Sequence, residues 1–396
     1  MIDFTLTEKD REVLDYVRKE SLVARKYARQ YDEAEHEFPP DSLPEYESGE
    51  FPGVWSLMAG RGEEDSGMGV MSMLISMAQT WGDYSVRVNR GGGGGLGNAA
   101  LRASGTPEQQ EKWGRLTLAM AITEPGCGSD PSLVQTSAVL DSETDEWVIN
   151  GEKIFVTTGC RAEGVVLWAT LDKSAGRAGI KSFLVEKGTP GFIVAHKEKK
   201  LGIRADDTAA YVFQDCRVPR ENLLGGNESV EPKKGSGGFK GVMKTFNMTR
   251  PGVAAIGLGM SQAALDFTRE KLEGAGVDLS YGAGIHGLSA VTAKFQRLET
   301  MQEAAVLTVL RAAWLSEQGK PNNLEASVSK AKGGATVRLV TQGCVEILGA
   351  MGVSRDDLLE KWFRDVRITD IYEGTGQIQH MIIARNILGY DRSMLS

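Results

Sequence analysis

The feature that most constrains this chain is a change of period along it. Up to about residue 118 apolar residues return at helical spacing, as in Leu14, Val17 and Leu22 and in the Met-rich run "MGVMSMLISMAQTW". Thr106-Pro107 ahead of "EQQEKW" is a helix start with proline in the first turn. From "LAMAITEPGCGSD" to about residue 222 the pattern becomes short alternating runs: "EWVI", "EKIFVTT", "VVLWATL", "KSFLVE", "GFIVA" and "AAYVFQ". Asn150-Gly151 lies between the first two, and because this dipeptide accommodates positive φ it predicts a β-hairpin there. A polar, glycine-rich connector, "LLGGNESVEPKKGSGGFKG", leads back to helical spacing. Phe295, Leu298, Met301 and Ala305 share a face that Gly319 and Pro321 bring to a stop. The small residues of "EASVSKAKGGATVRLVTQGCVEILGAMG" would let helices approach closely. Helices, strands, helices in this order predict an α+β chain: a helical N-terminal domain over residues 1–118, an antiparallel β domain over 119–225 and a C-terminal helical domain over 226–396.

A chain of 396 residues is long enough for two or three packed subdomains, and 41% hydrophobic with 25% charged residues is ordinary for a globular protein. A net charge of -8 disfavours non-specific nucleic-acid binding, which rests on clustered Lys and Arg. Cys127, Cys160, Cys216 and Cys344 form no C-x-x-C pair and read as reduced thiols. The scattered His36, His196, His286 and His380 propose no metal site. The acidic, amphipathic N-terminus is unlike a secretory leader, and no window approaches 18 unbroken apolar residues. Cytoplasmic residence, with no membrane span, is the expectation.

The stretch "RGGGGGLGNAA" at 90–100 contains a formal G-x-G-x-x-G. A dinucleotide loop needs a strand before it, and what precedes it is helix-like, so a cofactor loop is not expected here.

Three segments carry the chemistry. "AITEPGCGSD" (121–130) is a polar bend where helix gives way to strand, "EKIFVTTG" (152–159) is a strand placing Phe155 and Thr157 on one face, and "DIYEGTGQIQ" (370–379) sets an isolated carboxylate, Glu373, between apolar Tyr372 and Gly374. Taken singly, each has an ordinary reading as a turn, a strand or a helix cap. In this order, and joined by "TRPGVAAIGLGMSQAALD", they resemble the acyl-CoA dehydrogenase family, flavoenzymes that desaturate acyl-CoA thioesters between Cα and Cβ.

The resemblance covers nearly the whole chain and is weakest before residue 100. It implies a helical N-terminal domain, a β middle domain and a C-terminal four-helix bundle, with FAD between the last two. It makes Glu373 the catalytic base, and its N–H part of the thioester oxyanion site. A desolvated carboxylate is suited to that work because its pKa rises. Ile122, Thr123, Gly128, Ser129, Phe155, Thr157, Thr375 and Gln377 fall at FAD-contacting positions, with Phe155 where many relatives have tryptophan. Ser129, Asn247, Arg250, Tyr372 and Gly374 fall at substrate positions. Thr249 occupies the place where some subfamilies carry the base instead, which strengthens Glu373. Electron-transfer flavoprotein is the implied electron acceptor, and a homotetramer or dimer the implied assembly. Two other readings stay open: a flavin oxidase or monooxygenase on the same fold, and a catalytically silent homologue.

Two departures from the family pattern stand out. Where relatives have Arg, Thr-Phe-Gly and a later Gln for the FAD diphosphate of the neighbouring subunit, this chain has Asp278, Leu279-Ser280-Tyr281-Gly282 and Ser289. An anionic Asp278 would repel a diphosphate. The Gln-x-x-x-Gly of relatives is Glu346 to Ala350. The family alignment also carries "YSVRVNRGGGGG" to the far end of the acyl pocket. There glycines would leave room for a bulky acyl group and Arg87 or Arg90 could meet a polar terminus, while a helix break in a surface turn is the reading slightly favoured for the run.

Overall fold

The computed structural model describes the chain except residues 1–3, 36, 38–42, 49–50, 52, 60–65, 87–94, 232–236, 283, 285–286, 391–393 and 395–396, and the side chains at 46–47, 55 and 237–248. Glycines 91–94 of the run with Arg87 and Arg90, and His36 and His286, therefore lie outside the described residues, whereas Gly95 is described as the residue before the helix Leu96–Ser104. The chain divides into two compact units: a helical unit of Met1–Val88, Lys200–Ala205 and Asn247–Ser396, and a β unit of Asn89–Lys199 and Asp206–Phe246.

In the helical unit, α1 (Glu8–Glu33) opens on a capping box between Thr7 and Asp10. The Asp10 carboxylate also accepts the Ser66 N–H and hydroxyl, at 3.1 and 2.7 Å. The buried stripe of α1 runs through Val13, Val17, Ala24 and Ala28. Leu22, five residues past Val17, falls off that stripe and is 48% exposed, contrary to the spacing expected for it. Short α2 (Pro44–Glu47) and α3 (Val54–Met58) precede α4 (Met68–Gly82). Gly82 lets α4 press against α1, since a Cβ there would lie 2.1 Å from the Ser21 carbonyl oxygen.

The β unit begins with α5 (Leu96–Ser104) and α6 (Pro107–Trp113). Thr106 and Gln109 close the capping box of α6, as the Thr-Pro start predicts. Seven strands follow: β1 (Leu118–Ala121), β2 (Ser137–Asp141), β3 (Glu146–Thr157), β4 (Gly164–Thr170), β5 (Ile180–Glu186), β6 (Phe192–Lys197) and β7 (Thr208–Pro219). They form one sheet in the order β1-β4-β2-β3-β7-β6, with β5 on β4. Trp147, Phe183, Tyr211 and Phe213 lie at the heart of its main core.

Two expectations need correction. The sheet is not wholly antiparallel, because β1 and β2 run parallel to β4. Nor is there a hairpin at Asn150-Gly151: β3 runs straight through it, with a register irregularity against β7 between Ile149 and Gly151. Gly151 spends its positive φ of 150° on a bulge, and the Asn150 carboxamide ties that bulge to Asp215 in both directions. The chain reverses before Glu146 instead, where Asp145 takes a φ of 56°. A left-handed glycine serves a bulge as well as a turn, so the dipeptide alone does not separate them.

The helical unit resumes within α7 (Gly237–Gly274), followed by α8 (Ala290–Glu317), α9 (Asn323–Leu348), α10 (Leu359–Asp365) and α11 (Gly376–Leu388). Phe295, Leu298 and Ala305 of α8 are buried, and Gly319 ends the run at a φ of 66°. The small residues of α9 work as expected: a Cβ on Gly333 would lie 2.7 Å from that of Ala254 on α7, and one on Gly343 2.7 Å from Leu298. Inside this unit Lys361 is sealed from solvent between Asp83 (2.5 Å) and Asp365 (2.6 Å), and Asp365 also accepts the Ile203 N–H. Burial pulls the Lys361 pKa down, but the two carboxylates hold it above the ordinary lysine range. Among the described residues no helix is long and apolar enough to cross a membrane.

Gly151→Ala is expected to lower stability by about 1–3 kcal/mol, the usual range for backbone held in a sparsely populated region. The added Cβ would also meet Thr136, at 2.5–2.7 Å. The shift in urea midpoint measures it, and an unchanged midpoint would mean that the bulge relaxes freely.

Candidate active site

In the β unit the bend at 121–130 is fixed from beneath. Lys153 sits on β3 with its side chain fully buried, and its ammonium donates to the Ile122 carbonyl at 3.0 Å and to the Glu124 carboxylate at 2.7 Å. Glu124 is saturated further by the N–H groups of Gln135 and Thr136 and by the Thr136 hydroxyl. Burial lowers the Lys153 pKa to about 8 despite its partner. For Glu124 burial pushes upward, but the Lys153 charge and the hydrogen bonds outweigh it and hold the carboxyl below its usual range. The Thr123 carbonyl accepts the Ile154 N–H at 2.9 Å, so Ile122 and Thr123 are both pinned to β3.

Beyond Lys153 the strand bulges again, and Phe155 adopts a φ of 56°. The bulge turns the ring outward to 61% exposure, with buried Val156 between it and the partly exposed Thr157. An aromatic face presented by a strained backbone suits a flat heteroaromatic ring such as a flavin, and Thr123 and Thr157 are partly exposed residues of the same unit. Ser129 and Gly128 are exposed on the bend, and a Cβ at Gly128 would meet nothing within 4 Å.

In the helical unit Glu373 and Gly374 form a left-handed bend, with φ of 55° and 93°. The φ of Gly374 favours glycine, and a Cβ there would sit 2.5 Å from the Gln379 amide nitrogen, which would have to move aside. The Thr249 hydroxyl of α7 donates to the Glu373 carboxylate. Burial raises the Glu373 pKa, and this outweighs the lowering by that hydrogen bond and by the charges of Lys330 and Arg250. Arg250 is itself buried, and desolvation lowers its pKa while Glu373 raises it. Thr375 caps α11 by accepting the Ile378 N–H at 3.3 Å, which leaves its hydroxyl proton to donate. Tyr372 is partly exposed beside Glu373, Gln377 points outward on the first turn of α11, and the Asn247 side chain lies outside the described residues.

Four residues around these segments escape a sequence reading: Lys153, Glu124, Lys330 and Gln379. Lysine 153 reads as an outward position of an alternating strand, and only its apolar surroundings in space show that it is inward. Among the described residues no group of three or more His, Cys, Asp or Glu side chains could hold a metal ion. Asp278 lines an open pocket of about 360 Å³ with Val277, Ser280, Gly287, Leu288, Ser289 and Thr292. Its carboxylate accepts the Ser280 N–H at 2.9 Å and is held below its usual pKa by that bond, hence ionised. This pocket is ill suited to an anionic diphosphate. Glu346 is matched by Lys294 at 2.6 Å and by Gln342.

The family description "Acyl-CoA dehydrogenase, middle domain" matches residues 119–216, and "Acyl-CoA dehydrogenase, C-terminal domain" matches 236–388. The short-chain specific acyl-CoA dehydrogenase of Clostridium acetobutylicum is 32% identical over 98% of this chain and all of its own length. Acryloyl-CoA reductase (NADH) of Anaerotignum propionicum is 38% identical over 73% of this chain and 72% of its own. The caffeyl-CoA reductase-Etf complex subunit CarC of Acetobacterium woodii is 33% identical over 94% and 99%. Among solved structures, butyryl-CoA dehydrogenase from Megasphaera elsdenii superposes with a TM-score of 0.80, covering 98% of this chain and 100% of that one at 29% identity. The chain belongs to the acyl-CoA dehydrogenase family, FAD-dependent oxidoreductases of acyl-CoA thioesters.

Lys153→Met leaves Glu124 charged, buried and without its ammonium, and is expected to lower stability by about 3–5 kcal/mol. Adding Glu124→Gln removes the orphaned charge and should restore part of the loss, a coupling of about 0.5–3 kcal/mol in a urea-denaturation double-mutant cycle. Additive losses would show the pair to be uncoupled.

Proposed function

We propose that the protein dehydrogenates an acyl-CoA thioester to the 2-enoyl-CoA, with Glu373 as the base that takes the Cα proton. The observation that carries this reading is a carboxylate on a strained left-handed bend, desolvated enough to raise its pKa and held by one hydroxyl donor, Thr249. Burial makes such a carboxylate a stronger base than a solvated glutamate, which suits it to accept a carbon-bound proton. FAD, when bound, supplies the acceptor for the hydride that leaves Cβ. Ile122, Thr123, Gly128, Ser129, Phe155, Thr157, Thr375 and Gln377 would hold it, and the outward Phe155 ring and the Thr375 hydroxyl support their part in this. Ser129, Asn247, Arg250, Tyr372 and Gly374 would face substrate. The functional division of the chain follows the three domains 1–118, 119–225 and 226–396.

Two of the relatives are named as reductases. The same glutamate serves that direction when protonated, by returning the proton to Cα. An Etf complex in one relative's name supports electron-transfer flavoprotein as the redox partner here. Assembly into a homotetramer, or a dimer, is supported by exposed apolar side chains on the C-terminal helices, Leu339, Met381, Ile387 and Leu388. Cytoplasmic residence belongs to the same reading and is supported by the four free thiols.

Glu373→Gln is expected to keep fold and flavin while kcat falls by about 10²–10⁴-fold, the usual contribution of a positioned base. In the wild type the acid limb of kcat/KM should lie above the ordinary glutamate range, because the raised pKa keeps the base protonated to higher pH. Anaerobic titration of the yellow protein with a panel of acyl-CoAs checks the substrate class. Bleaching by none of them, or a Glu373→Gln variant as fast as wild type, would refute the assignment. Light scattering tests the assembly, and a monomer that retains FAD counts against it.

A further inference from the structure

The strongest unexplained group near the base is a lysine. Lys330 lies on α9 with its side chain wholly buried, and its ammonium donates to the Gly374 carbonyl at 2.8 Å. The buried Gln379 amide donates to the same oxygen at 3.1 Å and reaches the Glu373 carbonyl at 3.4 Å. Two donors from two helices thus converge on the carbonyl that closes the left-handed pair Glu373-Gly374. The approach is close by construction: one turn along α9, a Cβ on Gly334 would lie 2.6 Å from an Asp370 carboxylate oxygen.

We propose that Lys330 is a positioning residue for the base: it grips the Gly374 carbonyl and so fixes the bend from which the Glu373 carboxylate projects. This rests on the reading of Glu373 as the base. A left-handed conformation at a non-glycine residue is strained, and persists only where neighbours over-determine it. Lys330 and Gln379 are those neighbours.

The ammonium also acts through its charge. The groups facing it are Arg250 from α7, and Asp370 and Glu373 from the loop before α11, with Arg338 of α9 pairing with Asp370 at 3.3 Å. Burial draws the Lys330 pKa down to about 8, with Asp370 and Glu373 opposing the fall and Arg250 adding to it. At neutral pH Lys330 is therefore still charged, and it favours the ionised carboxylate of Glu373. The sign follows: taking the charge away raises the pKa of the base.

The test compares Lys330→Met, a near-isosteric loss of charge and donor, with Gln379→Leu, which removes the second donor and leaves the charge. Both are made in the FAD-loaded enzyme and followed by kcat, by the acid limb of kcat/KM and by hydrogen–deuterium exchange of the peptide spanning 371–379. Lys330→Met should lower kcat by on the order of 10²-fold, as expected for a base displaced by about 1 Å. It should also move the acid limb to higher pH and speed exchange in that peptide. Gln379→Leu should speed exchange and lower kcat with the limb unmoved. A folded Lys330→Met enzyme whose limb stays in place overturns the proposal, because a merely structural role would not move it. If Lys330→Met does not fold, Gln379→Leu decides: lowered kcat with an unmoved limb supports the gripped bend, and wild-type kinetics overturn it. Glu373→Gln separates the two readings. Should it retain turnover, the base assignment fails and this proposal with it. Should it be inactive while Lys330→Met keeps wild-type kcat, limb and exchange, only the role of Lys330 falls.

Discussion

A buried ammonium has no water to bind, so the chain must bring oxygen to it, and this requirement organises the molecule. Lys153, Lys181, Lys330 and Lys361 are all buried, and each finds at least one oxygen on a segment distant in sequence. Lys153 takes the Ile122 carbonyl and Glu124, Lys181 the Ser229 carbonyl, Lys330 the Gly374 carbonyl, and Lys361 the carboxylates of Asp83 and Asp365. Leaving such a charge unsatisfied would cost several kcal/mol, so each lysine acts as an obligatory tie rather than an optional contact. Two of the four ties hold the segments proposed to carry the chemistry, the bend at 121–130 and the bend at 370–379. Loops are the natural home of reactive groups and are poorly held by apolar packing. A buried cation from a neighbouring regular element supplies the missing rigidity.

How much of this is legible in the sequence depends on whether the signal is local. The helix starts are local, and Thr106 with Gln109 closes a capping box where the Thr-Pro pair announces one. The order of helical and strand-like texture is local too, and it gives the α+β class without any knowledge of packing. What fails is whatever needs a partner. Asn150-Gly151 offers a positive φ, but only the register of β3 against β7 makes it a bulge and not a hairpin. The parallel placement of β1 and β2 on β4 has no trace in "LAMA" or "SAVLD", because alternation reports which face is buried and says nothing of strand direction.

The same distinction applies to the site. Glu373 stands out because a carboxylate between apolar neighbours and a glycine is anomalous on its own terms, and the family likeness then suggests the role proposed for it. Lys330 does not stand out, since a lysine in "SVSKAKGG" is the commonest sort of helix surface residue. Only the glycines after it, Gly333 and Gly334, hint that this face is pressed against something. Asp278 is the converse case. Its departure from relatives is plain in sequence, while the structure adds that the carboxylate is spent on the Ser280 N–H of its own loop. That bond leaves the pocket beside it with a negative charge.

The fully buried lysines have a bearing on temperature. The hydration of an ammonium carries a strongly negative entropy, so the penalty for stripping its water shrinks as the protein warms, whereas the gain from apolar burial levels off. The desolvation penalty carried by the ties of Lys153 and Lys330 therefore falls as the protein warms, while the gain from the hydrocarbon contacts around them does not grow in step.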